Sequence, residues 1–203
     1  MAVRLGRPLP TGADPAVALL ARCATAGLRV PDGAVLLNDG APPTSCPLDL
    51  FPPRALVAIR PAVGAPVPYD DAVALTAALT AAYGVGRDVL VLRAVDAVHS
   101  GTARLLAPMD LVQAVEGEAS GLLLGTVPEV RGLRVPALRR KLQRPHRGGD
   151  DWRTPLPPWG MRLSRLLRGV RRAVGAGGRT VEWADDGRVC WLVQVSTGAG
   201  LGD

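Results

Sequence analysis

Near its carboxyl end the chain reads TVEWADDGRVCWLVQ, from Thr180 to Gln194. Two strand-like runs flank Asp185-Asp186-Gly187, which is typical of a β-hairpin with an exposed turn. A three-residue loop with Gly187 in the left-handed conformation would oppose Glu182 to Cys190 and keep Glu182 and Gln194 on one face, whereas a two-residue loop would put them on opposite faces. With the three-residue loop, Cys190 is the partner of Glu182, and Gln194 lies four residues farther along the strand, about 13 Å away. Twist or a bulge must therefore bring the two side chains together.

The rest of the chain alternates helical and strand-like segments. Helices are predicted at 15–26, 70–83 and 161–173, where apolar residues recur with helical spacing. Strands are predicted at 28–37, 54–60 and in four short runs between 88 and 127, each bounded by Gly, Pro or Asp. The polar, Pro-rich and Gly-rich connection at 136–160 favours an exposed loop. The pattern predicts an α+β protein whose second half is mainly β.

Composition sets the broad class of the protein. Hydrophobic residues make 48% of the chain but aromatic residues only 3%, so Ala, Val and Leu must form most of the core. The net charge of +6 comes almost entirely from arginine, since Lys141 is the sole lysine. This bias is typical of a GC-rich genome, and we give it little weight as a nucleic-acid signal.

Three cysteines without CxxC spacing argue against a disulfide framework or a zinc site. With no export signal and no apolar run of about 18 residues, a cytoplasmic protein without a membrane span is expected.

Five segments resemble, in the same order, motifs of the nucleotide-binding domain of phosphoenolpyruvate synthase, pyruvate phosphate dikinase and rifampicin phosphotransferase. The matched segments are AGLRVPDGAVLL (26–37, against "AGxPVPxGFVL"), LVAIRPA (56–62, "VAVRSSA"), DVLVLRAVDAVHSGTARLLAP (88–108, "VVVQxMVxxxxSGVxFTxxP"), VQAVEGEASGLLLGTVPE (112–129, "EAxxGLGExLVxGxVxPD") and TVEWADDGRVCWLVQ (180–194, "DIEWAxxxGxLxxLQxRP"). Together they span most of the chain, and the last match is the most specific.

The resemblance implies an ATP-grasp fold, with two lobes around a nucleotide cleft and a β-rich second lobe that ends in a hairpin. The corresponding division is residues 1–86 for the first lobe, 88–196 for the second and 197–203 for a flexible tail. The implied activity is phosphoryl transfer from ATP, with Mg²⁺, to a histidine on a separate swivelling domain or protein. Neither histidine of this chain lies in the "TSHxA" setting of a phosphohistidine domain.

The resemblance also implies site residues. Glu182 and Gln194 fall on the family's magnesium ligands, and oxygen ligands of this kind suit a hard cation. Arg60 falls on the arginine that contacts the nucleotide phosphates, which a guanidinium can bind through two hydrogen bonds; it is the candidate catalytic residue. Glycines in the run 117–125 would let the backbone approach the nucleotide closely. The candidate nucleotide-binding glycines are Gly117, Gly121 and Gly125.

Three family positions carry other residue types here. No lysine stands near Asp14 to Val17, Leu92 replaces the adenine-side glutamine, and Ser196 replaces the arginine of "LQxRP". Two phosphate-binding cations are therefore missing, which would cost about 3 to 6 kcal/mol of binding free energy if each contact contributes about 1.5 to 3 kcal/mol.

These departures leave a second reading open. It is a degenerate, non-catalytic ATP-grasp protein that binds a partner or regulates one, with the Arg-rich surface as a possible contact. A basic nucleic-acid-binding module is a third reading, but no interleaved aromatic platform accompanies the arginines. Plainer roles also exist for the individual residues. These are solvent-facing strand positions for Glu182 and Gln194, a surface ion pair for Arg60, and exposed positions for His99 and His146.

Overall fold

A computed structural model of the protein describes residues 2–38, 51–52, 54–60, 66–118, 131–136, 156–175 and 177–197. Within these ranges the helices are α1 (Pro15–Thr25), α2 (Ala72–Tyr83) and α3 (Pro158–Val174). The strands are β1 (Ala2–Arg4), β2 (Gly33–Leu36), β3 (Leu56–Arg60), β4 (Val67–Pro68), β5 (Val89–Arg93), β6 (His99–Arg104), β7 (Met109–Glu116), β8 (Arg131–Pro136), β9 (Arg179–Asp185) and β10 (Cys190–Thr197). No helix in the described part of the chain is long and apolar enough to cross a membrane.

Aspartates fix the starts of the first two helices. Asp14 precedes Pro15 and accepts a hydrogen bond from the Ala16 amide at 2.8 Å, while Asp71 accepts one from the Ala74 amide at 2.9 Å. An aspartate in this position satisfies a backbone amide that has no partner within the helix. Both helices therefore begin within two residues of the predicted starts.

The first sheet has the strand order β1-β2-β5-β3-β4 and is antiparallel throughout. Successive residues of its strands point to opposite faces. Val57, Ile59 and Val91 point to one face and pack with α2 in a small core. The other face, which carries Ala58, Arg60 and Leu92, turns toward the second sheet.

The second sheet has the order β10-β9-β6-β7-β8 and is also antiparallel. One of its faces, with Val181 and Trp183, is covered by α1 and α3, and their apolar side chains form the main core. Leu90 and Leu92 of the first sheet belong to the same core. Apolar side chains of both sheets thus pack in one core. The opposite face of the second sheet, which carries Glu182, lines a cleft.

Two buried ion pairs fasten α3 to the second sheet. Arg162 binds both carboxylate oxygens of Asp185 at 2.7 and 2.6 Å, and Arg171 binds both oxygens of Asp110. The apolar residues of α3 recur with helical spacing and face the core, as the sequence predicts. The two arginines reach acids on neighbouring strands, because a long side chain at the edge of an apolar face can lie along it.

Several predicted boundaries shift. Helix α3 begins at Pro158, three residues before the predicted start, and β1, β4 and β8 were not predicted. The first lobe was predicted to end at residue 86, which assigns β5 (Val89–Arg93) to the second lobe. In the structure β5 lies between β2 and β3 in the first sheet. The division into two lobes stays a prediction, and the sheet to which β5 belongs favours a boundary after Arg93. The predicted strand at 121–127, residues 137–155 of the predicted loop and the tail beyond Thr197 lie outside the described residues.

Candidate functional site

A narrow cleft lies between the two sheets, with a volume of about 80 Å³. Strands β3 and β5 pair directly and contribute Ala58, Arg60 and Leu92 to its wall. The second sheet contributes Thr102 and Glu182. Ligand pockets usually measure about 300–1,000 Å³, so the described residues outline less space than a whole nucleotide needs.

Glu182 and Gln194 are direct cross-strand partners in the β9–β10 hairpin. The ladder shifts by one residue between Leu192 and Gln194, which leaves Val193 as the extra residue of a bulge. Residues that oppose each other in an antiparallel pair have Cβ atoms about 4.5–5.5 Å apart on the same face. The predicted pairing of Glu182 with Cys190 is wrong, and the predicted shared face of Glu182 and Gln194 is correct.

The hairpin loop explains the different register. It spans residues 186–189, since Asp185 already pairs with Cys190. The Asp186 carboxylate accepts hydrogen bonds from the Arg188 amide at 2.8 Å, the Val189 amide at 2.6 Å and the Trp191 indole at 2.9 Å. These bonds close a loop one residue longer than predicted. Asp185, predicted to lie at an exposed turn, is a fully buried strand residue.

Glu182 is half-buried in the cleft wall, so it does not occupy a solvent-facing strand position. Burial raises the pKa of its carboxyl above the ordinary glutamate value of 4.5, and the positive charge of Arg60 opposes that shift. Arg60 lines the same cleft. The structure therefore brings these two predicted site residues together, with Gln194 beside Glu182 on the neighbouring strand.

We expect the raised pKa of Glu182 to make the folded protein less stable as pH rises. An acid with a raised folded-state pKa is protonated in both states well below 4.5, so it carries no penalty there; the penalty appears as pH rises through the folded-state value. Glu182→Gln removes the ionisation. The difference in unfolding free energy between the variant and the wild type should thus move in the variant's favour between pH 4 and pH 8, in urea denaturation without ligand. A difference that does not change with pH would contradict the burial of this carboxylate.

A polar row that the sequence did not predict extends the Glu182–Gln194 pair across the sheet. Thr102 of β6 lies opposite Glu182, and Gln113 of β7 lies opposite Thr102, with their side-chain oxygens 3.3 Å apart. Polar residues at every second position of β6, which are Ser100, Thr102 and Arg104, are the signal that could have found the β6 part of this row. It supplies hydrogen-bonding groups on the face of the second sheet that carries Glu182.

The predicted glycine loop is described only at its start. Gly117 has a φ of +76°, which favours glycine. Its amide donates to the Val98 carbonyl at 2.9 Å, and its own carbonyl accepts the Ser100 hydroxyl. Gly117 therefore closes the end of the β6–β7 pair, and the next residue, Glu118, lines the cleft. Gly121 and Gly125 lie outside the described residues.

The three positions that depart from the family pattern have structural roles here. Asp14 caps α1, and its amide donates to Asp88 at 2.8 Å. Leu92 is 1% exposed and contributes to the core. Ser196 is half-buried on β10, opposite Thr180. None of these three side chains is positively charged, so none can neutralise the charge of a bound phosphate.

His99, for which a surface position was the plainer alternative, is half-buried. Its ring stacks on Trp159 with centroids 5.4 Å apart, and Trp159 stacks on Trp183 at the same distance. His146 lies outside the described residues. Among the described residues no group of three or more His, Cys, Asp and Glu side chains could hold a metal ion, so a cation site here would depend on Glu182 and Gln194 with further oxygens from a ligand.

Comparison with solved structures identifies the fold. The D-alanine–D-alanine ligase from Bacillus anthracis complexed with ATP matches with a TM-score of 0.55 and 12% identity, over 89% of this chain and 52% of the ligase. An L-amino acid ligase from Bacillus licheniformis matches with a TM-score of 0.48 and 11% identity, over 90% of this chain and 42% of that one. No protein-family model matches the sequence, and no match is found among curated proteins.

The chain thus has an α+β, ATP-grasp-like fold and spans about half the length of the ligases that it matches. At 12% identity, the similarity to the ligase shows a similar fold only. The resemblance to phosphoenolpyruvate synthase stays a prediction, because the structural neighbours are ligases.

Proposed function

We propose that this protein binds a nucleoside triphosphate, with ATP as the candidate, together with Mg²⁺ in the cleft between the two sheets. The observation that carries the proposal is the direct pairing of Gln194 with Glu182, which lines the cleft together with Arg60. The matched Bacillus anthracis ligase is complexed with ATP, which supports the same ligand class.

The residues present fit a magnesium ion held partly by its substrate. Mg²⁺ is usually bound by one or two carboxylates, with phosphates and water completing the octahedron. Glu182 offers the carboxylate and Gln194 an amide oxygen beside it. The bound ion would neutralise phosphate charge, while Arg60 would donate hydrogen bonds to phosphate oxygens and Thr102 could bond to groups lying over the sheet.

The proposal includes a separate phosphoryl acceptor, for which the sequence resemblance is the support. The described histidine, His99, stacks on Trp159 and does not line the cleft. A histidine on another domain or protein would therefore have to approach the cleft. No membrane surface or nucleic acid is part of this proposal.

A second function has its own support. The cleft of about 80 Å³ and the residue types at Asp14, Leu92 and Ser196 favour a degenerate ATP-grasp protein that binds a partner without turnover. The first function requires the nucleotide to bind and the second does not, so a measurement of nucleotide binding tests the first directly.

We expect Mg²⁺ and ATP together to raise the melting temperature of the wild-type protein. Free ligand at a hundred times its dissociation constant stabilises a folded protein by about 2.7 kcal/mol. Glu182→Gln, which removes the charged magnesium ligand, should abolish the shift, as followed by thermal melts with each ligand alone and with both.

The matched control is Asp70→Asn. It makes the same carboxylate-to-amide change at an exposed residue just before α2, away from the cleft. The control should keep the full shift. A wild-type melting temperature unchanged by millimolar Mg²⁺ and ATP would reject nucleotide binding and favour the partner-binding function.

A further inference from the structure

A second row of polar side chains lies beside the Glu182–Gln194 pair on the same face of the second sheet. Ser196 of β10 pairs with Thr180 of β9, and Thr180 pairs with Arg104 of β6. Each of these residues stands two positions along its strand from a member of the row that contains Glu182, so all of them point to the face that carries Glu182. The row offers two hydroxyl groups and one guanidinium, and it has no acid at these three positions.

This row lies on the side of the cleft that faces away from the linker between the sheets. Residues 94–98 join β5 to β6, and the linker residues that line the cleft are apolar. Along β6, Ser100 and Thr102 line the cleft after the linker, and Arg104 is the next residue on the same face. A nucleotide too large for about 80 Å³ therefore has to extend from Glu182 toward Arg104, because the other direction leads to the linker.

The Arg104 guanidinium is available to a ligand. Its side chain is exposed, and no hydrogen bond or ion pair joins it to another residue in the described part of the chain. Thr180 lies directly opposite Arg104, which makes Glu182 its diagonal neighbour on β9. Diagonal neighbours on a sheet face are about 7–8 Å apart, within reach of a long side chain. Arg104 can thus bind phosphate oxygens next to a cation held at Glu182, through two parallel hydrogen bonds.

We propose that Arg104 binds the terminal phosphate of the nucleotide and makes the site prefer a triphosphate to a diphosphate. This inference rests on the proposed function and adds a specificity-determining residue to it. Arg60 approaches the phosphates from the first sheet and Arg104 from the second, so the triphosphate lies between two positive charges. A diphosphate held at Glu182 and Gln194 is one phosphate shorter and does not reach Arg104.

The test compares the binding of a non-hydrolysable ATP analogue with that of ADP, each with Mg²⁺, by calorimetry. Arg104→Gln should weaken binding of the analogue by about 10–150-fold, the usual effect of losing a hydrogen bond to a charged group, and keep the ADP affinity within about threefold. Arg104→Lys keeps the charge without the paired hydrogen bonds, so its loss should be intermediate. The matched control is Arg188→Gln, which removes the same charge from the exposed loop of the β9–β10 hairpin. It should keep both affinities within about threefold, as expected for a screened charge.

A second measurement uses the wild-type protein alone, so the test does not depend on the folding of a variant. The wild type should bind the analogue at least about tenfold more tightly than ADP. Equal affinities for the two ligands, or an Arg104→Gln variant that weakens both equally or neither, would overturn the inference while leaving nucleotide binding intact. A wild-type protein that binds neither ligand would reject the proposed function and this inference with it.

Discussion

Replacing Asp110 with alanine is expected to destabilise the folded protein by about 3–5 kcal/mol. The Asp110 side chain is fully buried, and it binds the guanidinium of Arg171, whose own side chain is 11% exposed. One Asp110 oxygen also accepts the Leu106 amide at 3.0 Å. The substitution leaves a buried positive charge and a backbone amide without this partner, and both are costly away from water. Urea denaturation followed by circular dichroism gives the change in unfolding free energy.

Two further variants show whether the charge is the cause. Arg172→Ala, at an exposed neighbour on the same helix, should change stability by no more than about 0.5 kcal/mol. Arg171→Met in the Asp110→Ala background removes the stranded charge and should recover part of the loss. If Asp110→Ala costs no more than Arg172→Ala, the pair does not hold α3 to the sheet.

Arg60 and Glu182 were assigned to the site because the segments that contain them resemble motifs of the phosphoenolpyruvate synthase family, and both residues line the cleft. Arg60 ends an apolar strand, and Glu182 follows a β-branched residue in the first strand of a clear hairpin. Alternation placed Glu182 and Gln194 on one face only for the assumed three-residue loop, and with the observed longer loop it is the Val193 bulge that keeps them on one face. Their direct pairing could not be predicted, because it depends on the Val193 bulge and on the Asp186 carboxylate that closes the longer loop.

The ion pairs of α3 show a different limit. Helical spacing finds the apolar face that packs on the second sheet, and it separates this face from the arginines. It cannot tell which arginines reach inward, because the acids that bind Arg162 and Arg171 come from strands distant in sequence. Asp110 and Asp185 lie on the core side of strands whose other inward residues are apolar. An acid in such a position is the sequence signal for a buried partner.

Replacing Gly101 with alanine should cost about 3 kcal/mol or more, at or above the upper end of the usual range for an overpacked site. A Cβ atom added to Gly101 would lie 1.9 Å from the Gln113 carbonyl oxygen and 3.1 Å from the Ala114 Cα. Both are backbone atoms of β7, so no side-chain rotation can relieve the contact and β6 must move away from β7. Urea denaturation measures the loss.

The same change at Gly84, the C-cap of α2, is the matched control. An added Cβ there meets its nearest atom at 3.4 Å, and φ is −59°, which alanine adopts without strain. Gly84→Ala should therefore be neutral or stabilise by about 0.4–1 kcal/mol, because alanine has fewer unfolded conformations than glycine. Ser100 and Thr102 flank Gly101 and line the cleft. A shift of β6 should thus also weaken the thermal stabilisation by Mg²⁺ and ATP in Gly101→Ala, whereas Gly84→Ala should keep it. Equal stabilities for the two alanine variants would mean that β6 and β7 do not approach as closely as the structure has them.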